Sequence, residues 1–267
     1  MDFLLFIEIL YKTLEIYRNG CYNKRYEWRN GVKNRIWELD ALRGLNLLWM
    51  MVIHFIYDIT FLFPLVQWTA PGWYTFLVRL CSVLFILISG ICVTLGKHSL
   101  RRGLTVLGGG MIITAVTVAL AVTGLCDSSI IIYFGILHCL GLCMLLWPLV
   151  KKCPGWVLLL LGLALRYVGR YFDTLSLDTY WLVPLGLHPD DFASSDYFPI
   201  VQHFGIFLVG AGLGRYLYSK KTSLLPKVKQ NPPIRFLSFC GRHSLLIYLL
   251  HQPVLSLIAA GLFLILS

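Results

Sequence analysis

Charge is what this sequence lacks. Only 13% of its 267 residues are Asp, Glu, Lys or Arg, against about 25% in a typical soluble domain. Acidic residues are the scarcer half, with 13 Asp and Glu set against 23 Lys and Arg. The shortage is uneven, because apolar runs near or above the roughly 18–20 residues that cross a bilayer recur along the chain. Apolar residues make up 58% of the whole, and no stretch has the composition of a second, soluble domain. A water-soluble globule is excluded. The pattern is that of an all-α, polytopic transmembrane helix bundle.

Seven spans are expected: Leu45–Leu65, Trp73–Leu95, Leu104–Thr123, Ser129–Val150, Gly155–Phe172, Pro199–Tyr218 and His243–Ser267. The fifth is the weakest, since its apolar core ends at Arg166. Ahead of the bundle, residues 1–34 form a basic N-terminal segment, and residues 35–267 form the transmembrane domain. The first residues are apolar but carry Asp2 and Glu8, and have neither a basic start nor a small-residue cleavage site. They do not read as a signal peptide. An interfacial amphipathic helix over Met1–Tyr17 is the expectation instead.

Positive charge is also absent from alternate connections. Pro64–Gly72 carries no charge, Gly124–Ser128 carries only Asp127, and the long connection after Phe172 has five aspartates and no Lys or Arg. The other connections are basic. Eight Lys or Arg precede Gly44; Lys97, Arg101 and Arg102 follow the second span; Lys151 and Lys152 follow the fourth. Arg215, Lys220, Lys221, Lys227, Lys229 and Arg235 follow the sixth. By the positive-inside rule the N-terminus is cytoplasmic. Topology accounts for the net charge of +10, so no nucleic-acid partner is needed to explain it.

The eight cysteines are not arranged as a disulfide framework. Cys81, Cys92, Cys139 and Cys143 fall within spans, Cys21, Cys153 and Cys240 lie on the basic side, and only Cys126 is in an acidic-side connection. His138, Cys139 and Cys143 have no matching cluster to complete a metal site, and none is expected. Gly108–Gly110 sits inside an apolar span, where small residues suit close helix packing better than phosphate binding.

Chemistry is sought among polar groups at membrane depth, where they are costly and usually face a cavity or a partner. His54, Asp58, Arg79, His138, His203 and His251 qualify. His54 lies eleven residues beyond Arg43, roughly 16 Å along an ideal helix and so near mid-bilayer. Asp58 is one turn further on the same face. Each histidine can equally be a hydrogen-bonded packing residue, and Arg79 can snorkel to the surface. What favours function is that four separate spans each bring a histidine toward the middle or the acidic half.

Arg35-Ile-Trp-Glu-Leu-Asp-Ala-Leu-Arg-Gly44, followed by an apolar stretch ending in His54, resembles the opening of acyltransferase family three. There the corresponding histidine is the catalytic candidate. Three further stretches resemble bacterial relatives of the catalytic region of heparan-α-glucosaminide N-acetyltransferase. They are Phe134-Gly-Ile-Leu-His-Cys-Leu-Gly141, Ser195-Asp-Tyr-Phe-Pro199 running on to Gly210-Ala-Gly-Leu-Gly-Arg215, and Gly241-Arg-His-Ser-Leu-Leu-Ile-Tyr-Leu-Leu-His-Gln-Pro253. The resemblance spans about Arg35 to Val254. Two departures stand out: Gln202-His203 replaces an expected Pro-Trp pair, and Pro64–Gly72 lacks the histidine that the lysosomal enzyme resembles in its first outer loop. The first alters the outer end of the sixth span, and the second shifts weight onto His54 and His138.

The resemblance implies an acyltransferase of a bacterial plasma membrane. It would move an acetyl or other short acyl group from acyl-CoA to a hydroxyl or amine of a sugar or cell-envelope glycan. No permanently bound cofactor is expected. The residues suit that chemistry. Arg35, Asp40 and Arg43 are the donor-binding candidates, arginine forks matching the phosphates of a cytosolic acyl-CoA. Asp40 and Arg43 can also simply form an ion pair at the interface. His54 is the base or nucleophile, with Asp58 to orient it and His138 as a second candidate. Arg79, Asp196, Tyr197, His203 and His251 lie toward the acceptor side, where aromatic faces and carboxylates suit a sugar. Two other classes share these features: a transporter or flippase with midplane polar groups, and a structural partner of a cell-envelope complex. No inverted repeat or pair of broken helices marks the first.

Overall fold

The computed structural model of the protein describes residues 35–266. The amphipathic helix expected over Met1–Tyr17 lies outside the described residues. Within them the chain is helical, without a named strand. Helix α1 runs Trp37–Tyr57 and continues as a π-helical turn, Asp58–Leu62. Then come α2 (Gly72–Leu95), α3 (Ser99–Val122), α4 (Ile136–Val150), α5 (Gly155–Phe172), α6 (Ile200–Leu217), α7 (Pro232–Arg242) and α8 (Ser244–Leu266). Six of them, α1 with its π turn, α2, α3, α5, α6 and α8, are long and apolar enough to cross a bilayer. The protein is an integral membrane bundle. Its basic end holds the start of α1 and the whole of α7; its acidic end holds the long connection between α5 and α6.

Two helix starts that bear on the site differ from expectation. Helix α1 begins at Trp37, not Leu45, so the Asp40–Arg43 motif lies within its first two turns. Glu38 and Asp40 there complement the positive end of the helix dipole. Buried Glu38 also accepts hydrogen bonds from Ser223 Oγ at 2.9 Å and the Leu224 N–H at 2.8 Å, anchoring the basic connection. Helix α4 begins at Ile136 rather than Ser129 and spans 15 residues, about 22 Å. The run Ile130-Ile-Ile-Tyr-Phe134 is β-branched and aromatic, and such side chains favour extended backbone. It leads on from a 3₁₀ turn whose Ser129 N–H is capped by the Asp127 side chain. Phe134 then pairs with Tyr197, and the Phe198 N–H donates to the Phe134 carbonyl at 2.9 Å. The acidic end is therefore indented where α4 starts deep.

Helix α7 was read only as part of a basic connection. It is an amphipathic helix opened by Asn231, whose side chain accepts the Ile234 N–H at 3.1 Å, and by Pro232-Pro233. It packs closely against α1. A Cβ at Gly44 would fall on the Leu237 carbonyl, and one at Gly241 on the Asp40 carbonyl.

Helix α6 is the buried centre, packed on α5 and α2. A Cβ on Gly162 would lie 2.7 Å from the Gly205 carbonyl oxygen, so α5 and α6 touch backbone to backbone. At the acidic end of that seam, Gln202 accepts a hydrogen bond from Arg166 and donates to Asp173 Oδ1 at 3.3 Å. The unexpected Gln202 is thus a structural link between α5 and α6. Of the three consecutive glycines in α3, Gly108 faces open space, while Gly110 leaves room for the His138 ring, whose atoms would be 3.0 Å from a Cβ there.

Candidate functional site

At the indented acidic end, α1, α2, α4, α8 and the Asp196–Phe198 segment enclose a cavity of about 50 Å³. That is room for a few water molecules. Helix α1 contributes Asn46, Met50 and His54, spaced by four and so stacked on one face. Helix α2 adds Cys81, Ser82 and Phe85, α4 adds Ile136 and α8 adds Tyr248. The extended segment alternates: Asp196 and Phe198 face the cavity. Tyr197 joins His188 and Phe192 and donates its hydroxyl to the Val183 carbonyl at 2.7 Å.

His54 is about two thirds of the way along the α1 span, on the acidic side of its middle. Starting α1 at Trp37 and ending it at Leu62 moves it there. Its Nδ1 lies 3.1 Å from the Met50 carbonyl. A carbonyl can only accept, so Nδ1 carries the proton and Nε2 keeps its lone pair. No partner for Nε2 occurs among the described residues. Asp196 faces His54 across the cavity and is its nearby acid on this loop. Asp196 Oδ2 accepts the Ile136 N–H at 3.0 Å, satisfying a backbone donor at the α4 N-terminus. Burial raises the Asp196 carboxyl above its usual range, while the Ile136 hydrogen bond and the His54 imidazole oppose that shift.

Asp58, expected to orient His54, makes no hydrogen bond to it among the described residues. It is fully buried, and accepts hydrogen bonds from Gln252 Nε2 at 2.7 Å and Ser256 Oγ at 3.1 Å. The tautomer role assigned to it falls to the Met50 carbonyl. Asp58 instead ties the end of α1 to α8.

His138 is the third residue of α4, not the tenth of a longer span. Its Nδ1 accepts the Gly135 N–H at 3.2 Å, so the proton is on Nε2, which lies 3.3 Å from Thr114 Oγ1. Thr114 in turn donates to the Ile132 carbonyl at 2.6 Å. Both ring nitrogens are engaged, and no lone pair remains to accept a substrate proton. The ring forms the start of α4 and holds it to α3. Cys139 and Cys143, 4.0 Å apart at sulfur, are a separate buried pair one turn along. Among the described residues no three His, Cys, Asp or Glu converge as a metal site.

The remaining candidates divide. His251 is buried on α8, its ring 4.9 Å from that of His54. His203 engages the Pro199 carbonyl through Nδ1 at 2.7 Å and packs on Phe198; it does not line the cavity. Arg79 is exposed on the flank of α2, outside the cavity. At the basic end Arg35 is exposed and lies 3.9 Å from Asp40 Oδ2, with Arg43 and Arg242 also acting on that carboxylate. Arg43 is three residues from Asn46, the cavity residue closest to it along α1.

Asn46 was missed, and so were Cys81, Ser82 and Tyr248. Asn46 is 3% exposed, donates from Nδ2 to the Cys81 carbonyl at 3.0 Å, and sits two turns from His54 on the same face. An amide in an apolar span two turns from the key histidine was a usable signal.

The profile of the family described as heparan-alpha-glucosaminide N-acetyltransferase, catalytic, matches residues 35–253. That range covers every residue of the cavity. No curated protein and no solved structure shows a match to the chain.

Proposed function

Since the chain belongs to the heparan-alpha-glucosaminide N-acetyltransferase catalytic family, a family of membrane acetyltransferases, we propose that His54 is the base of an acyl transfer from acyl-CoA to a sugar or glycan. The acceptor group is a hydroxyl or an amine. The reading rests on one observation above the rest: His54 keeps a free Nε2 lone pair at a cavity that also holds the Asp196 carboxyl.

In the proposed step Nε2 removes the proton from the acceptor as its oxygen or nitrogen attacks the thioester carbonyl. The new carbon–acceptor bond forms, the carbon–sulfur bond breaks, and the proton passes from His54 to the departing thiolate. Asp196 compensates the charge on the imidazolium across the cavity. The donor enters from the basic end, taken as cytoplasmic by the positive-inside rule. Arg43 and Arg35, with Asp40 between them, meet its phosphates, and its arm runs along the Asn46–Met50–His54 face, roughly 16 Å from Arg43 to His54. The acceptor comes from the acidic end. A bacterial plasma membrane with an envelope glycan outside it suits this direction of transfer.

Purified protein in nanodiscs, given acetyl-labelled acetyl-CoA and a panel of sugars and amino sugars, tests the reading. Wild-type protein should transfer the label. His54→Ala should lose about two to four orders of magnitude in rate, with unchanged donor binding and a monodisperse profile. Normal transfer by folded His54→Ala protein would remove His54 from the chemistry. An acyl-protein trapped by rapid quench would replace the base with a nucleophile.

A further inference from the structure

The sequence placed His251 only among the acceptor-side candidates. It is 5% exposed on α8, and its ring meets that of His54 edge to face, with centroids 4.9 Å apart and planes at 74°. Its Nδ1 is bonded to the Tyr248 carbonyl one turn back. The carbonyl accepts, so Nδ1 carries the proton and Nε2 bears a lone pair. That nitrogen is buried and has no hydrogen-bond partner among the described residues.

An unpartnered acceptor in a low-dielectric interior is costly, and such groups call for an explanation. Protein packing does not supply a donor here. The ring neighbours of His251 are His54 on α1 and Tyr248 on its own helix. Next along α8, Gln252 is turned to Asp58. The carboxyls near the pair are Asp196, at the cavity, and Asp58, one turn beyond His54. When both imidazoles are neutral, each ring keeps an Nε2 lone pair and neither carries a charge for the other to stabilise. One proton on His54 changes this, since an imidazolium is the cation that a neighbouring lone pair stabilises.

We propose that His251 is the positioning partner of His54: its unpartnered Nε2 stabilises the positive charge that His54 gains on taking the acceptor's proton. His251 gains no bond to substrate and loses no proton itself. The proton stays on His54 until the thiolate takes it. The Asp58–Gln252–Ser256 link holds α8 against the end of α1 and so keeps the two rings in register. This inference rests on the acyl-transfer reading for its kinetic test, but the ring pair can be read without it.

The test is a double-mutant cycle on transfer. His251→Phe keeps a ring of similar size and deletes the lone pair. It should lower kcat by about 10–100-fold and leave the donor KM unchanged. In a His54→Ala background the same substitution should cost nothing further, because His251 acts through His54. An equal loss in both backgrounds, or no loss in either, overturns the proposal. If His251→Phe does not fold, His251→Gln, which keeps an acceptor oxygen, is read in the same cycle and must show the same non-additivity with a smaller loss. A second arm uses ¹⁵N-histidine-labelled protein. As acid is added, the His251 Nε2 resonance should move in step with protonation of His54 in the wild type. A His251 signal indifferent to His54 overturns the pairing even where no transfer is detected; a coupled signal without transfer sinks the acyl-transfer reading alone.

Discussion

Asp58 and Gln252, near opposite ends of the chain, are joined by a 2.7 Å hydrogen bond that closes α8 onto α1. The bond leaves Asp58 structural. Asp58→Ala strands Gln252 and Ser256 without their acceptor, at a cost of about 1–3 kcal/mol. Thermal unfolding in detergent should show that loss, while His54→Ala should not. Activity per folded molecule should fall far less than in His54→Ala. A loss in rate as large as that of His54→Ala, at full stability, would return Asp58 to the chemistry.

His138 makes the reverse case. Both of its nitrogens are spent on Gly135 and Thr114, so it should be insensitive as a base and sensitive as a cap. His138→Ala should destabilise the protein by about 1–3 kcal/mol, as the Gly135 N–H loses its acceptor inside the bundle. The transfer rate of the folded fraction should stay within about tenfold of wild type, below the range expected for loss of a general base. A rate loss of several orders of magnitude in stable protein would contradict this.

Asp196 carries a pH dependence whose sign follows from its burial. Its folded carboxyl is raised above the ordinary aspartate value of about 3.8, so the folded state binds the proton more tightly than the unfolded chain does. Its contribution to stability is full below about 3.8 and is lost as the pH rises through the raised value. Asp196→Asn keeps an acceptor for the Ile136 N–H and removes the ionisation. The variant should therefore gain stability relative to wild type as the pH rises above about 3.8, measured by thermal unfolding across a pH series. It should also lose transfer activity. A stability difference that shrinks with rising pH would mean that the carboxylate is better accommodated in the fold than its burial implies.

Topology is open to direct labelling. A cysteine placed at Asp190, in the acid-rich connection, should react with an impermeant reagent added to intact cells, and one at Lys229 should not. Equal labelling at both positions would overturn the orientation and with it the direction of transfer.

The spans were legible because apolar length and the spacing of Lys and Arg are local properties, written into consecutive residues. Gly155–Phe172 was read to the residue. The start of α4 was not, since an unbroken apolar run looks the same whether it is helical or extended. The Ile130–Phe134 stretch takes the extended form because Tyr197 and Phe198 come alongside it. Helix α7 escaped notice for a different reason: it is short, amphipathic and embedded in basic residues, and its place depends on Gly44 and Gly241 letting two backbones touch.

By itself the sequence determined that this is a membrane bundle with one basic and one acidic end, and that His54 is a residue to watch. Composition, period and a motif carry that much, because bilayer length and helix pitch act on neighbours in the chain. Only the tertiary structure decided which polar groups work together. Asp58 and His54 are four residues apart, yet the carboxylate turns to α8. Asp196 and His251 come from distant segments, and meet His54 at the cavity and at its ring. His138, the second candidate on paper, is closed off because its two nitrogens already have partners. Partnership is a matter of where the lone pairs and protons end up in space, and helices brought together from across the chain settle it.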